Sequence, residues 1–183
     1  MKILLHCCCG PCAIYPIKQL KQQHLNITCL FYNPNIHPFK EFRRRLHTFS
    51  EFARSENIEY TVDDNYGLVE FTQKTVFNEK SRCDICYTMR LTKTAHFAAE
   101  GGFDSFSTTL LYSRYQQHAH IKKLAEDLAE TYTVSFHYED YRAGWQEGID
   151  MSMDQKMYRQ PYCGCLYSEQ ERYDKRLRKG KIL

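Results

Sequence analysis

His6-Cys-Cys-Cys-Gly-Pro-Cys12 places four thiols within a few residues, directly after the apolar run Ile3-Leu4-Leu5. Two further groups follow, Cys83-Asp-Ile-Cys86 and Cys163-Gly-Cys165. Cys29 stands alone in the apolar stretch Ile27–Phe31 and reads as a buried strand residue, because a free cysteine packs as a small hydrophobe. Thiolates are metal ligands and redox groups. The cysteine count of 9 is odd, so complete disulfide pairing within one chain is impossible. Leaving Cys29 aside, 9 − 1 = 8 thiols remain in three clusters. That exceeds the four ligands of one zinc and the four thiolates of one [4Fe–4S] cube, so two metal centres are expected. Structural zinc is the plainer alternative.

Residues so far apart in sequence meet only if the fold brings them to one place. The 183 residues are 43% hydrophobic and 26% charged, the balance of a soluble globular protein. No apolar run approaches the roughly 20 residues of a membrane span, and Ile3–Leu5 is too short for a signal peptide. The expected location is therefore the cytosol, where thiols stay reduced. Strands are expected at 2–7, 25–32, 58–62, 103–108 and 133–138. Helices are expected at 11–23, 38–57, 66–77, 86–100 and 115–130, with Gly144–Met157, a loop and a charged helix beyond. In the second helix Phe39, Phe42, Leu46, Phe49 and Ala53 recur at helical spacing. In the fifth, Ile121, Leu124, Ala125, Leu128 and Ala129 share a face. This alternation predicts a single α/β domain over 1–183, a Rossmann-like parallel sheet with helices on both faces and a basic tail from about 168. Ligands of such sheets bind at the carboxyl ends of the strands. The loop at Cys7–Cys12 follows the first strand and Ser107–Leu110 follows the fourth, so both are placed at that edge.

Five separated motifs, in order, resemble the QueH-type epoxyqueuosine reductases. They are His6–Cys12, Phe31-Tyr-Asn-Pro-Asn-Ile36, Cys83-x-x-Cys-Tyr-x-x-Arg90, Phe106–Ser113 with Tyr115, Gln116 and His120 after it, and Tyr162-Cys-Gly-Cys-x-Tyr-Ser168. In that family the residue after the first histidine is variable, which sets Cys7 aside and leaves 8 − 1 = 7 thiols. The resemblance implies the last step of queuosine synthesis at the tRNA wobble position. The epoxide of epoxyqueuosine is reduced to an alkene, with loss of water. It implies a [4Fe–4S] cluster beside a mononuclear iron, without cobalamin. A low-potential cube delivers electrons singly, and an iron with an open position is a Lewis acid toward the epoxide oxygen. Of the seven thiols, Cys9, Cys83, Cys86 and Cys163 are assigned to the cube and Cys8, Cys12 and Cys165 to the second iron. That choice rests on neighbouring side chains pointing apart, and it stays open within Cys8/Cys9 and Cys163/Cys165. His6, Asp84, Tyr87 and Tyr112 are the candidate proton donors.

A tRNA needs local positive charge, because the net charge is only +3. Arg43-Arg44-Arg45 is one basic run. Arg172, Lys175, Arg176, Arg178, Lys179 and Lys181 form another. The electron donor is expected to be a low-potential carrier such as ferredoxin or flavodoxin, and no membrane is involved. Two other readings stand beside this one. An ATP-dependent iron–sulfur tRNA thiolation enzyme would need a Ser- and Gly-rich phosphate loop, which Cys-Cys-Cys-Gly-Pro-Cys lacks. A zinc-stabilised RNA-binding module would be colourless and hold zinc alone.

Overall fold

The computed structural model describes residues 1–178, with side chains through Arg176. Five strands, β1 (Lys2–His6), β2 (Asn26–Tyr32), β3 (Glu59–Asp63), β4 (Ser105–Thr108) and β5 (Ser135–Phe136), form one parallel sheet in the order β3-β2-β1-β4-β5. Helices α1 (Gly10–Gln22), α2 (Phe39–Ser55), α3 (Leu68–Thr75), α4 (Arg82–Glu100) and α5 (His118–Tyr132) connect them. Then come α6 (Trp145–Asp154), α7 (Leu166–Tyr173) and α8 (Lys175–Arg178).

Side chains alternate across a strand, so β1 feeds both faces. Ile3, Leu5 and Cys7 pack with Cys29, Phe31 and the apolar sides of α1 and α2. Leu4 packs with Leu30, Phe106 and the apolar sides of α4 and α5. The expected α/β architecture is therefore present, with helices on both faces. Chain order reverses between β1 and β4, and His6 is level with both Leu30 and Thr108. The loops after β1 and β4 thus leave the sheet side by side, at the switch point where open α/β sheets hold ligands.

Several details differ from the sequence reading. α4 starts at Arg82 rather than Cys86, so Cys83 and Cys86 share its first turn. β5 is only two residues long, because α5 runs on to Tyr132 and Thr133 turns out of it with φ 53°. Phe39 is 53% exposed: it opens α2, ahead of the buried stripe Phe42, Leu46, Phe49 and Ala53, and rests its ring against Phe42 and Tyr66. Arg45 is no part of a basic surface. It falls on that stripe and is buried, whereas Arg43 and Arg44 are exposed. The charged end is two helices rather than one. Asp174 breaks them, accepting from the Arg176 backbone N at 2.9 Å and from its Nε at 3.0 Å. The Arg178 side chain, Lys179 and Lys181 lie outside the described residues. No helix among the described residues is long and apolar enough to cross a membrane.

Candidate metal centre

Beyond His6 the chain leaves the strand, and Cys9, in extended conformation, caps α1. One turn later Cys12 returns to the same side. The sulfurs of Cys8, Cys9 and Cys12 consequently all lie within 4.8 Å of one another, with Cys8 and Cys9 3.8 Å apart. The expectation that the Cys8 and Cys9 side chains diverge is corrected here, because it holds for a strand and the chain has already turned. Cys7 and Cys29 sit together in the core behind, away from this group.

The second group comes from α4 and the loop before α7. Cys83, Cys86, Cys163 and Cys165 lie within electrostatic reach of one another. Cys165 packs with Cys86 and Phe71. Of the two cysteines of the C-x-C, Cys163 is exposed and Cys165 buried. Gly164 permits this. Its φ is +153°, and a Cβ there would meet Asn35, Ile36 and the Arg45 guanidinium at 3.2–3.4 Å. Its carbonyl accepts from the His37 backbone N at 2.8 Å, which ties the loop to the buried segment Phe31–His37.

Most of these sulfurs have a donor aimed at them. Thr109 Oγ1 lies 3.5 Å from Cys8, Gln160 Nε2 3.1 Å from Cys12, and Arg90 Nη2 2.9 Å from Cys86. Gln116 Nε2 lies 3.3 Å from Cys163, and the Ser168 backbone N 3.4 Å from Cys165. Donors to sulfur are what a thiolate–metal site needs, since they stabilise the charged ligand and tune the metal. Two buried guanidiniums add positive charge. Arg90, 2% exposed, is fixed to Cys86, and its charge also reaches Cys163 and Cys8. Arg45, 1% exposed, pairs with Glu41 at 2.7 Å, donates to the carbonyls of Cys163 and Tyr162 at 2.7 and 3.0 Å, and reaches Cys9. Hydrogen bonds from Cys12 and Cys9, then Thr109 and the Arg90 charge, hold the Cys8 thiol well below its ordinary range. Burial raises Cys9 and Cys86, the latter to about 12. The Cys8, Cys9 and Cys12 sulfurs, this close and with two cations behind them, could hold a metal ion.

The candidate proton donors fall in different settings. His6 is fully buried, with Nδ1 2.9 Å from Thr108 Oγ1 and Nε2 3.1 Å from the Tyr32 carbonyl. The carbonyl can only accept, so the proton is on Nε2 and Thr108 donates to Nδ1. Burial first, then Arg90, lowers its pKa to about 4, so the ring is neutral and both nitrogens are committed. The Tyr112 hydroxyl donates to the Trp145 carbonyl at 2.9 Å. The Tyr87 hydroxyl donates to Gln116 Oε1 at 2.9 Å and accepts from the Gln117 backbone N at 3.1 Å. Asp84 is half-exposed, 3.0 Å from His120 Nδ1. A cleft of about 880 Å³ lined by Asp84, Ile85, Thr88, Thr92 and His96 does not contain the thiols. At 3.6 residues per turn the last four of these lie on the far side of α4 from Cys83, Cys86 and Arg90.

The sequence reading does not make Thr109, Gln116, Gln160 and Arg90 donors to the sulfurs, and it puts Arg45 in a basic run for tRNA instead. Arg90 was legible: it follows Cys86 by four residues and Cys83 by seven, on one helical face. Gln116 and Gln160 come from irregular segments with no periodicity to mark them.

A family model described as epoxyqueuosine reductase QueH matches residues 3–171. The epoxyqueuosine reductase QueH of Dehalococcoides mccartyi is 37% identical over 174 residues, covering 95% of this chain and 96% of that protein. The Thermotoga maritima protein of the same name is 32% identical over 185 residues, covering 94% and 93%. The Streptococcus pyogenes one is 33% identical over 178 residues, covering 91% and 69%. Among solved structures, a predicted subunit of tRNA methyltransferase from Methanocaldococcus jannaschii aligns with TM-score 0.55 over 84% of this chain and 74% of that one. At 12% identity this likeness speaks for the fold alone. Since the matched span includes all three cysteine groups that the sheet edge gathers, and nearly the whole chain besides, the protein belongs to the epoxyqueuosine reductase QueH family.

Proposed function

We propose that this protein reduces epoxyqueuosine to queuosine in tRNA, delivering two electrons and two protons to the epoxide oxygen and releasing it as water. Convergence of seven thiols from three chain segments on one sheet edge, backed by Arg90 and Arg45, is the observation that carries the reading. When bound there, a [4Fe–4S] cluster with an adjacent iron would supply single electrons and a Lewis acid. The geometry favours Cys8, Cys9 and Cys12 for the second iron and Cys83, Cys86, Cys163 and Cys165 for the cube. This exchanges Cys9 and Cys165 relative to the division drawn from sequence. Gln116, Gln160, Thr109 and Arg90 orient and charge-balance the sulfurs.

Proton delivery is assigned to half-exposed Asp84 through His120, whose ring meets Tyr87 at 5.9 Å, and Tyr87 in turn bonds Gln116 beside Cys163. Tyr87 positions Gln116 over Cys163. His6 and Tyr112 are framing residues, because their polar atoms are already committed. The chain acts as one unit in the cytosol, with ferredoxin or flavodoxin as donor and exposed basic residues on the tRNA phosphates. Anaerobic incubation with epoxyqueuosine-tRNA and a strong reductant, without cobalamin or ATP, followed by nucleoside mass spectrometry, tests the reading. Conversion to queuosine is expected. Persistence of the epoxide with intact metal centres would overturn it, and colourless protein holding only zinc would favour the RNA-binding module.

A further inference from the structure

An aromatic series that the chemistry above leaves unused runs from the thiols to the surface. Tyr112 is the inner member, buried in the same cluster as Cys9 and Cys12. Its ring stacks on Trp145 with centroids 5.1 Å apart. Tyr115 then meets Trp145 edge-on at 5.8 Å and is 84% exposed. Arg114 lies over the Trp145 ring at 5.8 Å and has no carboxylate partner among the described residues. The adjoining Gln116 touches Cys163, the one exposed cysteine of the nine. An exposed aromatic beside an unpaired cation, at the point where solvent reaches the thiols, has the makings of a nucleobase site. A base stacks on aromatic faces and the guanidinium meets its phosphate.

We infer that Tyr115 and Trp145, with Arg114, form a stacking platform for an unpaired RNA base adjoining the nucleotide that enters the thiol site. This deepens the proposed function and rests on it. The platform grips the neighbour, so the reacting nucleotide is splayed toward Cys163. Stacking tolerates any base but requires its π-face.

Trp145 is the only tryptophan, so its fluorescence reports the platform directly. Titrating the metal-loaded protein with an anticodon stem–loop RNA carrying epoxyqueuosine is expected to quench that fluorescence. An abasic site on either side of the modified nucleotide should abolish the quench for one neighbour only and weaken binding about tenfold. Tyr115→Ala should do the same for intact RNA, with the salt dependence unchanged, and Tyr115→Phe should restore binding. Arg114→Ala should reduce the salt slope by about one. RNA that binds and is reduced without quenching, with equal affinity for Tyr115→Ala, overturns the platform and leaves the proposed function standing. Impaired electron delivery from flavodoxin in Tyr115→Ala, with RNA binding intact, assigns the patch to the protein donor and also overturns it. Absence of both binding and reduction overturns the proposed function and the platform with it.

Discussion

Arg90 Nη2 lies 2.9 Å from Cys86 Sγ, and the same guanidinium donates through Nε to the Cys86 carbonyl at 3.3 Å. Both bonds run along one turn of α4, so the charge cannot move unless the helix does. A buried cation this close stabilises the more electron-rich, reduced state of a centre held by these sulfurs, and its removal forfeits that stabilisation. Arg90→Gln is therefore expected to shift the reduction potential of the metal centre to more negative values and to lower turnover about 10–100-fold. Arg90→Lys should recover part of the potential. Spectroelectrochemical titration of the variants checks this, and an unchanged potential would contradict it.

The grouping of the sulfurs predicts which substitutions separate the two metals. Cys12→Ser and Cys9→Ser should lose the second iron and activity while keeping the cube, and Cys83→Ser should impair the cube. Cys7→Ser and Cys29→Ser, in the core behind the site, should keep both. Iron and sulfide counts with EPR of the reduced proteins read the division. Loss of the cube in Cys9→Ser alone would restore the assignment drawn from sequence.

Neighbouring arginines on α2 should behave oppositely. Arg43 is exposed, so Arg43→Ala should alter stability within about 0.5 kcal/mol yet weaken tRNA binding and lower its salt slope by about one. Arg45→Ala removes the cation paired with buried Glu41 and two hydrogen bonds to the Cys163 loop, and should cost about 3–5 kcal/mol. Urea unfolding and filter binding of the two variants distinguish these outcomes.

His37 packs its ring against Tyr66 and Phe71, and neither ring nitrogen has a partner among the described residues. Burial lowers its pKa from 6.5 to about 4. Between those values the unfolded chain binds the proton and the folded one does not, so stability rises with pH across the window and is lost as pH falls through it. Urea unfolding of metal-free protein at pH 7 and pH 5 should show a loss on acidification that His37→Phe reduces. His6, lowered for the same reason, should leave a residual slope.

The sequence by itself determined the sheet, its parallel sense and the edge where chemistry sits. The period of the apolar residues and the βα alternation encode these locally, which is why Phe42, Leu46, Phe49 and Ala53 line one buried face of α2 as expected. It also marked thiols from three segments as the candidate ligands, and the Cys86-x-x-x-Arg90 spacing puts a cation one helical turn from one of them. Tertiary structure alone decided how the sulfurs are grouped in space. Cys8 and Cys9 converge because the chain leaves strand geometry at the mouth of α1, while Gly164, at a φ that other residues resist, leaves Cys163 exposed and Cys165 buried beside the same α4 thiols. Tertiary structure likewise turned Arg45 inward and brought Gln116 and Gln160 to the sulfurs. Their partners lie 47 to 148 residues away in the chain, and a contact at that separation has no period to betray it.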